Sequence, residues 1–220
     1  MRSLKPLADV RQIHVIDALR YGLLMEARAY ANLWSALRRI ERSKETHPSE
    51  AATLKAFAAA WEVVDMAHRA LGLAGQVRGL SQRTPEFRQF IRDTKVVTHF
   101  RNQFQHLNSH IPKIYGKTNP VLGTLSWVTK SGKSNYTMSL GGGNQDTHYH
   151  TIPFDTVEWT FAREIQLTAG GRDVDVTIIH AACQKFSSHV TSWLSDTGMM
   201  QRMKQRVGIV RVHLNRRPPS

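Results

Sequence analysis

The chain holds a single cysteine, Cys183, among 220 residues. One thiol excludes an intrachain disulfide framework and any zinc site built on several cysteines. No apolar run approaches the roughly 18 residues that a membrane helix needs, so no span is expected. The opening Met-Arg-Ser-Leu-Lys-Pro-Leu lacks the uninterrupted apolar stretch of a secretory leader, and the expected location is cytoplasmic. Internal repeats and low-complexity tracts are missing as well. There is no G-x-x-x-x-G-K-[ST] motif, and Gly141-Gly142-Gly143 lacks the following lysine of a phosphate loop. Acidic residues are scarce: 17 Asp+Glu stand against 30 Lys+Arg, a net charge of +13, with 11 histidines besides. That surplus favours a phosphate-rich partner. The hydrophobic fraction of 41% is that of an ordinary globular chain, not a disordered one.

Helical periodicity fills the first third. Pro6 suits a first helical turn. Between Ala8 and Glu41 the residues Val10, Ile13, Ile16, Leu19, Leu23, Leu33, Leu37 and Ile40 recur at helical spacing. This predicts one long helix, or two joined near Gly22. A second, alanine-rich helix is expected from about Pro48 to Leu71, stopped by Gly72 and Gly75. Thr84-Pro85-Glu86 offers an N-cap, a first-turn proline and an early acid for a third helix over 85–110, before Pro112. Alternating β-rich segments follow. Val121 to Lys130 and Asn135 to Leu140 read as a hairpin about Ser131-Gly132-Lys133-Ser134, a third strand is expected in Thr147 to Pro153, and Val157 to Thr168 also reads as strand. From about Val174 to Leu194 the helical period returns, and Val207 to Leu214 reads as a short strand before a basic tail. The expected fold is mainly α: a single 1–220 domain with N-terminal helices in 1–115, a small antiparallel β insertion in 116–172, and a C-terminal helix and basic tail in 173–220.

On a helix turning about 100° per residue, Val96, Val97, Phe100, Phe104 and Leu107 share an apolar arc. Arg92, Lys95, His99, Asn102, Gln103, His106 and His110 gather opposite, with Arg101 near the border. Such a face can be simple solvated surface. Three imidazoles and two amides on one stripe also suit hydrogen bonding and proton transfer, where Glu/Lys pairs would not.

Arg101-Asn102-Gln103-Phe104-Gln105-His106 reads R-N-x-x-x-H and resembles the signature of the HEPN superfamily, an Arg and a His separated by four to six residues, often with Asn after the Arg. The bare Arg–His spacing occurs four times here, at Arg42/His47, Arg92/His99, Arg101/His106 and Arg206/His213. The third is distinguished by Asn102, by the i,i+4 stacking of Asn102 and His106 on one helix face, and by its place on a long helix after two others. Arg92-Asp93…His99 is the runner-up. The resemblance covers roughly residues 1–115. It implies a HEPN-like helical bundle that dimerises and a metal-independent endoribonuclease in a toxin–antitoxin or anti-phage defence setting. The catalytic residues so implied are Arg101, Asn102 and His106, with Lys95, His99 and Gln103 along the substrate groove. Asp65 and Arg69, four apart on the second helix, are placed to face the motif helix, or else to form an ordinary intrahelical ion pair. The implied partners are RNA, a second copy completing a composite cleft, and an antitoxin or activator protein. No cofactor and no metal are expected.

Rival readings rest on other residues. His106/His110 and His148/His150 have spacings that can hold a metal, but the first lacks the Glu of H-E-x-x-H because Leu107 fills that slot. Cys183 lies in an apolar helical pattern, where a buried thiol is the default. A catalytically silent HEPN-type module binding RNA, nucleotide or a partner protein is the alternative function. A small basic DNA-binding protein is a third, without a helix-turn-helix spacing to support it.

Overall fold

The computed structural model describes residues 10–43, 48–105, 120, 122–141 and 152–202. Helix α1 spans Val10–Ser43 without interruption, and most of the apolar stripe read from the sequence is its buried face: Ile16, Leu19, Leu33 and Leu37 are fully enclosed, while Val10 at its start is exposed. Gly22 is accommodated inside it. Helix α2 runs Glu50–Ala74, capped by Ser49, whose side chain accepts the Ala52 N–H, and closed at Gly75. Its small residues Ala56, Ala60, Ala67 and Ala70 let α1 and α2 pack closely along their length.

The third predicted helix is two. Helix α3 is Pro85–Thr94, with Thr84 as N-cap accepting the Phe87 N–H, and helix α4 is Val97–Gln105. Residues 106–110 lie outside the described residues. The break at 95–96 needs no proline or glycine. Thr94 turns its hydroxyl back onto the Phe90 carbonyl at 2.6 Å, and the backbone then switches to tighter bonds, Thr98 N–H to Lys95 O and His99 N–H to Val96 O. A hydroxyl back-bond of this kind bends helices, and β-branched Thr94, Val96, Val97 and Thr98 crowd the turn.

Among the described residues the strands that follow are β1 Thr124–Val128, β2 Asn135–Ser139, β3 Phe154–Asp155, β4 Thr160–Phe161, β5 Ile165–Ala169 and β6 Arg172–Asp175. Four make an antiparallel sheet in the order β2-β1-β5-β6, while β3 and β4 pair alone as a short hairpin. The β1–β2 hairpin matches its prediction. The strand expected in 147–153 lies largely outside the described residues, as does the one in 207–214. The stretch 157–168 is not one strand, because a turn at 156–159 and a bend before β5 split it. Val174 belongs to β6, so helix α5 begins later than expected, at Val176, where the Asp175 side chain accepts the Ile178 N–H. It ends at Asp196, and a one-turn helix α6, Met199–Arg202, follows.

Leu125, Trp127, Ile165, Leu167 and Val174 join the helical core from one face of the sheet. Two indoles fasten sheet to helices: Trp127 Nε1 donates to Glu41 Oε1 on α1 at 3.0 Å, and Trp61 Nε1 on α2 donates to the Leu122 carbonyl at 3.2 Å. Gly123, at φ +96°, passes so close to β5 that a Cβ would stand 2.3 Å from the Thr168 carbonyl, and only glycine fits. Between α3 and α5, Phe186 stacks on Phe90 at 4.2 Å and meets Phe87 edge-on at 5.7 Å. Each such ring removed from water contributes about 1.5–3 kcal/mol. The architecture is thus mainly helical with a small antiparallel sheet inserted after α4.

Candidate functional site

Helices α2 and α4 meet through Trp61 and Phe100, whose rings lie 6.1 Å apart. Phe100 and Val97 are wholly buried and set the rotation of α4. One residue past Phe100, Arg101 is swung towards α2 and not outward. Its Nε stands 3.6 Å from Asp65 Oδ1, while Asp65 Oδ2 accepts the Arg69 Nε–H at 2.7 Å. Asp65 therefore forms the intrahelical pair with Arg69 and also bridges α2 to α4. Both alternatives for its role meet in one carboxylate.

The three charged groups border an open cleft of about 440 Å3 whose apolar wall is Ala58, Trp61 and Val64, with Glu62 as a further acid. The Arg101 side chain is 29% exposed, yet its Nε is sealed from water and makes no hydrogen bond among the described residues. A buried donor without an acceptor costs about 1–3 kcal/mol. Such a group calls for a functional explanation.

A histidine that the sequence reading passed over belongs here. His68 lies on α2 three residues after Asp65, on the same helical face. Burial pushes its pKa below the ordinary 6.5, and the positive charge of Arg101 pushes in the same direction. Asp65 opposes the shift and Arg69 adds to it. The imidazole is thereby held neutral at neutral pH, the form that accepts a proton. The clue was available: choosing Asp65 and Arg69 as a pair on α2 selects the i+3 position along with them.

The other predicted residues are distributed as follows. Asn102 and Lys95 are exposed, and His99 is half-buried with its ring edge-on to Phe100 at 6.3 Å. None of the three lines the cleft. Gln103 is in α4, but its side chain, like the whole of His106, lies outside the described residues. The continuous polar stripe expected over 85–110 is divided by the break at 95–96. The runner-up Arg92/His99 straddles that break, and Arg92 is 73% exposed and paired with neighbouring Asp93 at 3.1 Å. His110, His148 and His150 also fall outside the described residues. Among the described residues no three His, Cys, Asp or Glu side chains converge as a metal site, and no helix is long and apolar enough to cross a membrane.

A second ionisable cluster lies between α1 and α5. Glu26, with no exposed surface, receives His180 Nδ1 at 3.1 Å, and the His180 ring stacks on Tyr30 at 3.8 Å. Burial pushes the Glu26 pKa up, against the pull of His180. Cys183 is one turn along α5. The set of Cys, His and Glu resembles a nucleophilic triad in composition only: burial and the Glu26 charge push the thiol pKa far up, so the thiolate that would attack is not formed.

Comparison of the chain with protein-family models, with curated proteins and with solved structures finds no match. The functional reading therefore rests on the residues themselves.

Proposed function

We propose that the protein is a metal-independent endoribonuclease of HEPN-like type, with Arg101 in the α2–α4 cleft as its phosphate-binding group. The observation that carries this reading is the placement of Arg101. In the sequence its motif pairs this cation with a candidate acid–base histidine five residues on, and α4 turns the cation towards an open cleft. RNA brings its own nucleophile. The 2′-hydroxyl attacks phosphorus and loses its proton to a base, and the P–O5′ bond breaks. The departing 5′-oxygen takes a proton from an acid. The products are a 2′,3′-cyclic phosphate and a 5′-hydroxyl, with no oxidant or co-substrate consumed. The Arg101 guanidinium stabilises the extra charge on the pentacoordinate phosphorus. His106 performs one proton transfer, and Asn102 orients it or a phosphate oxygen. Asp65 holds Arg101 in place. A second copy of the chain completes the cleft, and an antitoxin or activator restrains or triggers it.

One observation favours the silent-module alternative. Asp65 partly neutralises Arg101, and a phosphate must compete with that carboxylate for the guanidinium. Cleavage of RNA in EDTA separates the two. The nuclease reading expects wild type to cut, leaving cyclic-phosphate ends, while Arg101→Ala and His106→Ala fail. If wild type binds RNA and never cuts it, the module reading replaces it. Equal cutting by all three proteins places the activity elsewhere.

A further inference from the structure

A second surface of the molecule has the composition of a nucleic-acid platform and takes no part in the α2–α4 cleft. The C-terminal half of α1, the β1–β2 turn and the strand β4 enclose a groove of about 380 Å3. Its cations are Arg38, Lys130 and Arg163, against a single acid, Glu164. Arg38 and Lys130 make no ion pair among the described residues; the Arg38 guanidinium lies over the half-buried Trp34 ring at 5.4 Å. Arg163 is steadied from behind, donating from Nη1 to Gln166 Oε1 at 3.0 Å with Asp175 4.0 Å from its Nε.

Aromatic rings lead out of this groove. Phe161 lines it, Phe154 meets Phe161 edge-on at 5.0 Å, and Trp159 meets Phe154 edge-on at 5.5 Å. Trp159 is 77% exposed and has φ +53°, a left-handed backbone that bulky residues rarely adopt. The turn is fixed by Asp155 Oδ1, which accepts the N–H groups of Val157 and Glu158 at 2.8 and 3.1 Å. The turn thus holds a large ring in water, joined to the cationic groove through Phe154 and Phe161. No folding contact accounts for that exposure, whereas base stacking on an aromatic face beside a positively charged backbone track does.

We propose that the groove formed by Arg38, Lys130 and Arg163, with the Trp159 ring at its edge, binds a single-stranded nucleic acid: phosphates lie along the cations and a base stacks on Trp159. The charge balance favours this occupant over a protein: three cations against one acid line the groove, and the whole chain carries +13. The site is independent of the cleavage reading, because binding here needs neither Arg101 nor His106.

The test is fluorescence anisotropy of a short labelled 2′-O-methyl oligouridine, which lacks the nucleophile and cannot be cut. Wild type is expected to bind with affinity falling as salt rises, and Arg101→Ala to lose less than the groove variants. The double variant Arg38→Ala/Lys130→Ala is expected to bind about tenfold more weakly with a shallower salt dependence. Trp159→Gly, which suits the left-handed backbone and so leaves the turn intact, is expected to lose about tenfold through stacking. Tryptophan emission should be quenched by the oligonucleotide in wild type and much less in Trp159→Gly. Unchanged binding by both variants overturns the proposal, as does failure of wild type to bind. Equal loss in Arg101→Ala would mean one continuous site and would overturn the separation. If the variants lose binding to phosphatidylserine vesicles but keep the oligonucleotide, the surface is a membrane face and the proposal fails.

Discussion

Among the histidine–carboxylate neighbourhoods of the described helices, two differ in almost every respect that matters for chemistry. Glu26 and His180 are in direct contact, enclosed between α1 and α5, with a tyrosine ring closing one side. Asp65 borders an open cleft with two arginines, His68 stands three residues along the same helix within reach of their charges, and a donor of one arginine makes no hydrogen bond among the described residues. The enclosed pair is in direct hydrogen-bond contact, with Glu26 wholly buried and His180 12% exposed. The open group is under-satisfied and reachable. Residue type alone would rank the two equally. What separates them is access and the unspent hydrogen-bonding capacity of Arg101. A satisfied buried pair holds the fold; a partly exposed guanidinium beside an open cleft can meet a ligand through its exposed part.

The sharpest way to break this comparison is at the two central residues. Arg101→Ala should lower the cleavage rate constant by about 10²–10³, the usual cost of removing one group that stabilises transition-state charge. Its unfolding free energy should move by less than about 1 kcal/mol, because it deletes only a partly exposed ion pair. His180→Ala should do the reverse. It strands the Glu26 carboxylate in the core and should cost about 3 kcal/mol of stability by chemical denaturation, while cleavage per folded molecule stays at the wild-type level. A His180→Ala protein that is stable but inactive would mean the enclosed pair takes part in function.

Glu26→Gln sharpens the same contrast. Because burial raises the Glu26 pKa, the carboxyl favours the folded state fully below its ordinary 4.5, and that contribution is lost as pH rises through the higher folded value. A glutamine does not titrate. Its stability relative to wild type should therefore improve as pH is raised through that range, as read by thermal unfolding at a series of pH values. A constant difference across pH would show that Glu26 is not held at a raised pKa. A smaller effect is expected at Asp65. Replacing it by Asn frees Arg101 from a partly exposed ion pair of at most about 1 kcal/mol, so phosphate affinity should rise up to about fivefold. A fall in affinity would show that Asp65 positions Arg101 more than it competes for it.

The helices were legible because each is written in local terms. The stripe from Ile16 to Ile40 gives α1, Thr84 announces the start of α3, and Gly75 marks a stop. The β1–β2 hairpin was legible from alternation on either side of a glycine turn. What escaped was set by small or distant effects. The break after Thr94 depends on one hydroxyl choosing a carbonyl, and no proline or glycine advertises it. The pairing of Glu26 with His180 joins residues 154 apart, and in a one-dimensional pattern Glu26 looks like solvated surface. His180 likewise falls between the apolar positions that define α5. At the candidate site the motif identified Arg101, and helix spacing brought in Asp65 and Arg69. His68 was missed because its significance comes from a charge on another helix. The cationic groove was missed for a similar reason: Arg38, Lys130 and Arg163 come from three separate segments.

His68 offers the finest probe of that cross-helix relation, with the smallest expected effect. Its depressed pKa has two leading causes, burial and then the Arg101 charge, with Asp65 acting the other way. Each cause can be removed singly. Followed by NMR through its ring protons, His68 should titrate below 6.5 in wild type. In Arg101→Ala it should move up, and in Asp65→Asn it should move further down. The stability linkage has a definite sign. A histidine whose folded pKa is depressed contributes stability that is fully present above the ordinary 6.5 and is lost as pH falls through the lower folded value. His68→Asn should therefore flatten the decline in stability on acidification, and Arg101→Ala should flatten it partly. If His68 titrates identically in all three backgrounds, Arg101 and Asp65 do not act on it together, and the cleft is no longer a single electrostatic unit. If it moves as stated, a phosphate bound at Arg101 should raise the His68 pKa as well, because the anion offsets the charge that holds it down. That makes His68 a reporter of ligand binding that needs no catalysis to be seen.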